Sequence, residues 1–117
     1  MNLLVSGGRD FNDYNLLKNK LDYYLSNQDK NSITILSGHA RGTDLLAEKY
    51  AQEKDLNLKI FPADWDKHGK SAGFIRNNEM IKEADILVAF WDGQSKGTKH
   101  AIDSAKKKNI PIRIVKY

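Results

Sequence analysis

The sequence predicts a Rossmann-like α/β fold, a three-layer sandwich with a five-stranded parallel sheet in the order 3-2-1-4-5. Two observations predict it. Five short strand-like segments alternate strictly with four segments of helical periodicity, and this pattern gives parallel strands joined by right-handed crossovers. Residues 86–90 are apolar at every position, as expected for a central strand buried on both faces. We expect one domain spanning residues 1–117.

The first half of the chain contains two strand–helix units and a third strand. Residues 3–5 are an apolar strand that ends at Gly7 and Gly8, and apolar residues then recur at helical spacing over 16–25, with Asn12 or Asp13 as the N-cap. Residues 33–36 are β-branched and precede a helix that begins at Thr43. Residues 56–60 alternate as a third strand.

The second half continues the alternation. A polar loop is predicted over residues 62–72, followed by a helix from Phe74 to about Ala84 and the apolar strand at 86–90. Thr98 is expected to cap the last helix. Residues 110–114 alternate as a final strand, and Pro111 suits a sheet edge because its missing N–H needs no partner there.

Composition excludes several classes of protein. Of the 117 residues, 40% are hydrophobic and 29% charged, which supports a packed core rather than a disordered chain. There is no cysteine, which excludes a disulfide scaffold and a cysteine-ligated zinc site. The three histidines do not have metal-ligand spacing. No membrane span or signal peptide is recognisable, so we expect a cytoplasmic protein.

Positive charge is concentrated at the C-terminal end. Residues 91–117 hold seven of the 19 lysines and arginines but only two of the 15 aspartates and glutamates. The run Lys106, Lys107 and Lys108 either forms a solvated helix face or attracts phosphates or nucleic acid.

Three glycine-rich loops each connect a predicted strand to a predicted helix, at residues 6–10, 37–44 and 92–98. Glycine lets a ligand approach the backbone closely, and free N–H groups at a helix start face an anion. In the predicted strand order the three loops are neighbours at the carboxyl edge of the sheet, where open α/β sheets bind ligands. None of them has the GxxxxGK[ST] or GxGxxG pattern.

These loops and the helix after residue 72 supply the candidate ligand-binding residues. Within them, Arg9, Arg41 and Arg76 are expected to bind phosphate, since a guanidinium can hold it with two hydrogen bonds. Asp44 either caps its helix or accepts a hydrogen bond from a ribose hydroxyl. The helix N-terminus is expected to keep it ionised and weakly basic. The full set is Gly7, Gly8, Arg9, Asp10, Ser37, Gly38, Arg41, Gly42, Asp44, Arg76, Asn77, Trp91, Asp92, Gly93, Ser95, Gly97 and Thr98.

Several motifs resemble the SLOG superfamily. Residues 37–44, SGHARGTD, are similar to the SG-x-ARG-x-D signature in the Rossmann domain of DNA-processing protein A. The arginine and methionine at positions 76 and 80, followed by Ala84 and Asp85, resemble a segment of lonely-guy-type proteins. The chain looks most like the YspA-like, cpYpsA-related group of small proteins, whose motifs are matched at residues 8–11, 63–65, 72–77 and 91–98.

The resemblance implies that the chain binds a nucleotide or nucleotide-derived ligand, such as a nucleoside phosphate or an NAD or ADP-ribose derivative, and needs no other cofactor. Catalytic members that release the base carry glutamate in a Gly-Thr-x-x-Glu motif, where this chain has Ala101. The first hypothesis is therefore a ligand-binding protein that senses or sequesters its ligand. The alternatives are a hydrolase of the N-glycosidic bond that uses Asp44 or the 62–72 loop, and a single-stranded nucleic-acid binder.

The resemblance also implies self-association. SLOG relatives commonly pair through helices beside the ligand loops. We therefore expect a homodimer, or a multiple of dimers, with Tyr50 and Phe74 supplying an apolar patch.

Overall fold

The computed structural model describes residues 1–117 and contains five strands and five helices. Two short 3₁₀ turns lie at Lys30–Ser32 and Gly69–Ser71. In chain order the elements are β1 (Asn2–Gly7), α1 (Tyr14–Tyr24), β2 (Thr34–Ser37), α2 (Thr43–Glu53), β3 (Asn57–Ile60), α3 (Trp65–His68), α4 (Ala72–Glu83), β4 (Ile86–Trp91), α5 (Lys96–Lys108) and β5 (Ile112–Lys116).

All five strands are parallel, in the order β3-β2-β1-β4-β5, which confirms the predicted topology. β1 is central and pairs with β4 over five residues, from Leu3 opposite Ile86 to Gly7 opposite Phe90. The loops that follow β1, β2 and β4 therefore emerge side by side at one edge of the sheet.

Side chains of the central strands alternate between two hydrophobic cores, one on each face of the sheet. Leu3, Val5 and Phe90 point to the face covered by α1 and α2. Leu4 and Leu87 point to the opposite face, which α4 and α5 cover. Helices on both faces of a parallel sheet make the three-layer sandwich that the sequence predicts, and β4 is buried on both faces as expected.

Several predicted boundaries were wrong. β5 runs over Ile112–Lys116 rather than 110–114, so Pro111 lies before the strand, and α4 begins at Ala72 rather than Phe74. The 62–72 segment is not simply a loop, because Asp64 caps α3 by accepting a hydrogen bond from the Lys67 backbone N–H. α5 begins at Lys96 and is capped by Ser95, whose Oγ accepts from the Thr98 N–H at 3.5 Å. Thr98 is thus the third residue of the helix, and serine takes the capping role predicted for it. The N-cap of α1 is Asp13, as expected.

Tyr50 does not belong to an exposed apolar patch. It is 3% exposed, packs in the core beneath α2 and donates a hydrogen bond from its hydroxyl to Asp22. Helical spacing places Tyr50 on the same face of α2 as Ala47 and Ala51, and this face is buried in the core. Phe74 is 46% exposed and stacks on the His100 ring, with centroids 4.5 Å apart. The homodimer remains a prediction, but Tyr50 cannot contribute to its interface.

One lysine of the basic run has a structural role. Lys108 Nζ donates to the carbonyl oxygens of Ile81, Lys82 and Ala84 at 2.7–3.0 Å, and so satisfies the C-terminal end of α4. A cation at this end also interacts favourably with the helix dipole.

We expect Lys108→Met to lower the free energy of unfolding by about 1–2 kcal/mol, because it leaves those carbonyls unsatisfied and removes the charge. Lys107→Met is the matched control, since Lys107 is exposed and its side chain makes no hydrogen bond. Urea unfolding of both variants measures the difference. Equal stabilities would show that Lys108 contributes nothing to the end of α4.

None of the helices is long and apolar enough to cross a membrane.

Candidate functional site

A cavity with two lobes opens at the carboxyl edge of the sheet, where the loops after β1, β2 and β4 meet. The first lobe has a volume of about 470 Å³ and lies among these three loops and α4. The second lobe has a volume of about 490 Å³ and extends towards the segment between β3 and α4. Four residues line both lobes and so form the boundary between them: Arg9, Ala40, Arg41 and Arg76.

Two glycines of the loop after β2, Gly38 and Gly42, allow close packing at the cavity. Gly42 has φ +80°, and a Cβ there would lie 2.5 Å from the Gly8 carbonyl oxygen, so only glycine fits. A Cβ on Gly38 would lie 2.9 Å from both Arg76 Nη1 and Asp44 Oδ2. Gly38 therefore makes room for a guanidinium and a carboxylate that converge above it.

The three arginines of the cavity form no ion pair at contact distance. None of them lies within 4.0 Å of a carboxylate oxygen, and Arg9 and Arg41 are exposed. Arg76 is held by the protein, since its Nη1 donates to the Gly38 carbonyl oxygen at 2.8 Å and its Nε donates to Asn77 Oδ1 at 3.2 Å. Burial lowers the pKa of Arg76, which nevertheless stays charged at neutral pH. The site therefore presents unpaired positive charge to a ligand.

Asp44 is a buried carboxylate at the base of the first lobe. It is 6% exposed, and its Oδ2 accepts a hydrogen bond from the Ala40 N–H at 3.2 Å. Burial raises the pKa of Asp44 from 3.8 to about 6, against the opposing effects of the Ala40 hydrogen bond and the Arg76 charge. The expectation of a weakly basic Asp44 was therefore wrong. Desolvation outweighs the helix N-terminus because the side chain lies below the surface.

The N-terminus of α5 adds hydrogen-bond donors to the same lobe. The backbone N–H groups of Lys96 and Gly97 have no partner, whereas the Thr98 N–H is taken by Ser95. The Gly97 Cα faces open space, since an added Cβ would have no neighbour within 4 Å. Asn77 Nδ2 donates to the Gly97 carbonyl oxygen at 3.3 Å and so fixes this turn against α4.

Two further carboxylates, Asp10 and Asp92, line the first lobe and are held in place. Asp92 accepts from the backbone N–H groups of Gln94 and Ser95, both at 2.8 Å, and these hydrogen bonds lower its pKa. Asp10 accepts from the Tyr117 hydroxyl at 2.7 Å. Fixed carboxylates of this kind are suitable acceptors for ligand hydroxyl groups.

The structure brings most of the predicted site residues together and leaves four outside the lining. Ser37 is fully buried and donates to Glu48, and Gly42 packs against the β1 loop. Trp91 donates from its indole N–H to the Ser95 carbonyl oxygen, and Gly93 forms the outer turn with φ +87°. The others line the cavity: Gly7, Gly8, Arg9, Asp10, Gly38, Arg41, Asp44, Arg76, Asn77, Asp92, Ser95, Gly97 and Thr98.

Six lining residues were not among the predicted ones: Ser6, His39, Ala40, Pro62, Ala63 and Trp65. Trp65 is the most informative of these, because it is 51% exposed although it is a large aromatic side chain. The signal for it was present in the sequence, since Ala63–Trp65 belongs to the motifs of the SLOG resemblance. What was missing was the α3 turn, which places the ring at the second lobe.

Ala101 has no access to the cavity. It is fully buried on the inner face of α5 and packs in the core with Leu4 and Leu36. No carboxylate therefore stands where the catalytic glutamate of base-releasing SLOG enzymes is expected.

Comparison with known proteins supports the resemblance. Residues 1–68 match the YAcAr family, described as the YspA, cpYpsA-related SLOG family. The chain belongs to this SLOG family. The matched residues include β1, β2, β3 and the first two glycine-rich loops. The SLOG chain is also 34% identical over 116 residues to the gene 61 protein of Mycobacterium phage D29, covering 94% of this chain and 92% of the phage protein.

The fold of this SLOG chain is similar to that of a solved structure of DNA processing protein A from Helicobacter pylori, a protein that binds single-stranded DNA. The TM-score is 0.66 at 20% sequence identity, and the similarity covers 97% of this chain. It covers 64% of the Helicobacter chain, so this protein spans less than two thirds of that relative. At this identity the likeness shows a shared fold.

Proposed function

We propose that this SLOG protein binds a nucleotide-derived ligand containing a diphosphate, of the ADP-ribose class, and holds it without cleaving its N-glycosidic bond. The observation that carries the proposal is the position of Arg9, Arg41 and Arg76, which have no ion-pair partner and stand between the two lobes. A diphosphate needs several cationic donors at one place, with room for a group on either side.

The lining of each lobe suits a different part of such a ligand. The first lobe offers the carboxylates of Asp10, Asp44 and Asp92 to ribose hydroxyls and the free N–H groups of α5 to a phosphate oxygen. The second lobe offers the exposed ring of Trp65 to a base, which aromatic side chains bind by stacking. The arginines between them would then hold the diphosphate.

Two measurements test whether the protein binds a nucleotide. Native mass spectrometry of the purified protein should show a co-purifying nucleotide, and calorimetry should show binding of added ADP-ribose. Absence of any bound nucleotide, together with no heat on addition of ADP-ribose, AMP or NAD, would contradict the proposal.

Gly97→Val should abolish ADP-ribose binding with little loss of stability, because Gly97 lines the first lobe and an added Cβ has no protein atom within 4 Å. Lys99→Val on the same helix is the matched control. It introduces the same β-branched residue at an exposed position outside the cavity lining. Wild-type affinity in Gly97→Val would show that the ligand does not approach the N-terminus of α5.

Hydrolysis of the N-glycosidic bond is the second candidate, and one observation favours it. Asp44 has a pKa of about 6, so its carboxylate is a competent base at neutral pH. The buried Ala101 argues against it, because it replaces the glutamate with which base-releasing SLOG enzymes are expected to stabilise an oxocarbenium-like transition state.

We expect AMP, NAD and ADP-ribose incubated with the protein to release no adenine and no nicotinamide, as measured by chromatography. Release at an enzyme-like rate that is lost in Asp44→Asn would establish the hydrolase instead. Release that persists in Asp44→Asn at the wild-type rate would indicate a contaminating enzyme.

Single-stranded nucleic acid is the third candidate, favoured by the fold shared with DNA processing protein A. The basic run supports it less than its charge suggests, because Lys108 is engaged at the end of α4. Oligonucleotide binding would weaken steeply with salt, in proportion to the number of phosphates contacted. Tight, strongly salt-dependent binding of an oligonucleotide, without nucleotide binding, would favour this candidate.

A further inference from the structure

A histidine–carboxylate pair, His39 and Glu48, lies at the second lobe, which the His39 side chain lines. His39 Nδ1 lies 2.9 and 3.0 Å from the two carboxylate oxygens of Glu48. Glu48 is 8% exposed and also accepts a hydrogen bond from Ser37 Oγ at 2.8 Å. The Ser37 oxygen in turn accepts from the His39 backbone N–H at 3.2 Å. The three residues form a closed hydrogen-bonded cluster at the end of β2.

This cluster fixes the role of each ring nitrogen. A carboxylate only accepts, so Nδ1 carries the proton that faces Glu48. Nε2 has no protein partner, and the half-exposed ring lines the second lobe together with Arg41 and Trp65. In the imidazolium form, Nε2 becomes a charged donor available to a ligand.

The backbone supports a functional role for this side chain. His39 has φ 60°, in the left-handed region that favours glycine and disfavours most other residues. Its side chain is 53% exposed, and the hydrogen bonds of His39 to Ser37 and Glu48 hold this conformation. Backbone strain of this kind is concentrated at ligand sites and active sites.

The charged side chains in the lining of the second lobe are all basic. No carboxylate lines this lobe. The segment after β3 contributes Pro62, Ala63 and Trp65, and none of these is charged. The ionisable groups that face His39 or its lobe are Glu48 and Asp44 from α2, Arg9 and Arg41 from the loops, and Arg76 from α4. An anion bound here would accept a hydrogen bond from Nε2 and offset the charge of the three arginines, and both effects favour the imidazolium.

We propose that His39, held by Glu48, is a fourth cationic contact for the diphosphate that the arginines hold between the two lobes, so that anion binding there takes up a proton. This rests on the proposed function and deepens it, because it concerns the phosphate subsite of the same cavity. Three guanidiniums and one imidazolium together would donate hydrogen bonds to a phosphate-type oxyanion, which is therefore the class of ligand expected at this subsite.

Sulfate is the probe, since it remains a dianion between about pH 5 and pH 8 and contributes no titration of its own. Asp44 titrates in the same range, so the comparison is made between Asp44→Asn and the double variant Asp44→Asn, His39→Asn. Asparagine tolerates the left-handed conformation, and the double variant should therefore fold. In Asp44→Asn we expect sulfate to bind about tenfold more tightly at pH 5.5 than at pH 8, with proton uptake seen by calorimetry in two buffers.

The double variant should bind sulfate with the same affinity at both pH values and take up no proton. Glu48→Gln in the Asp44→Asn background keeps an acceptor for Nδ1 but removes the charge, and should lose most of the pH dependence. Equal pH dependence with and without His39, or no sulfate binding at all, would overturn the inference.

The proposed function and the role of His39 can be contradicted independently of each other. Binding of ADP-ribose without a His39-dependent proton uptake would leave the proposed function standing and remove His39 from it. A His39-dependent sulfate site in a protein that binds no nucleotide would retain the inference and assign the site to another oxyanion. The two measurements together therefore decide both statements.

Discussion

Replacing Arg76 with alanine is expected to weaken ADP-ribose binding by about 10- to 150-fold, corresponding to about 1.5–3 kcal/mol. The guanidinium is already held by the Gly38 carbonyl oxygen and by Asn77 Oδ1, so little side-chain entropy is lost when a phosphate binds. Arg76 forms no ion pair at contact distance, and its side chain lines both lobes. Calorimetric titration of wild type and variant measures the loss.

Arg76→Lys should recover only part of the affinity, because an ammonium group cannot donate to Gly38 and to a phosphate with the fork geometry of arginine. Arg113→Ala is the matched control. Arg113 lies on β5, is exposed, and makes its hydrogen bond to the carbonyl oxygen of the neighbouring Ile112. Indistinguishable affinities for wild type, Arg76→Ala and Arg76→Lys would remove Arg76 from the binding site.

Asp44→Asn is expected to change the pH dependence of stability by about 3 kcal/mol in total. The pKa of Asp44 in the folded state, about 6, lies above its ordinary value of 3.8. The folded protein therefore binds this proton more tightly than the unfolded chain does. The contribution of Asp44 to stability is greatest below about pH 4 and is lost as the pH rises through 6.

Relative to Asp44→Asn, wild type should consequently lose about 2 kcal/mol of unfolding free energy between about pH 4.5 and pH 7. Asp103→Asn is the control, because the Asp103 side chain is 46% exposed and its hydrogen bond to Lys99 lowers its pKa. The contribution of Asp103 to the free energy of unfolding therefore increases with pH, whereas that of Asp44 decreases. Parallel stability curves for wild type and Asp44→Asn would show that the carboxyl is not desolvated in the folded protein.

The order of the sheet was predictable from the sequence, because the alternation of apolar strands and amphipathic helices leaves few parallel topologies. The run at residues 86–90 identified the strand buried on both faces, and the glycines after β1, β2 and β4 identified the edge that carries the site. These signals are local, since each depends on a period or a turn residue within a short stretch of chain.

Helix boundaries were predicted less well, since neighbouring residues compete for the same cap. Ser95 and Thr98 are both good N-caps, and only the path of the chain after β4 gave the position to serine. The same limit applies to the 62–72 segment, whose polar residues concealed the short α3 helix and with it the position of Trp65.

The chemical properties of the site were decided by the tertiary structure. Position in the first turn of α2 predicted a carboxylate that stays ionised, but the folded chain buries Asp44 beneath Gly38 and the β2 loop, and desolvation raises its pKa instead. The pairing of His39 with Glu48 likewise depends on one turn of α2 packing under the loop that precedes it. The sequence by itself determined the fold class, the edge of the sheet at which the candidate site lies, and the arginines that this edge presents. Burial and contact between segments, which no local pattern specifies, decided which of the charged groups are paired, desolvated or free to meet a ligand.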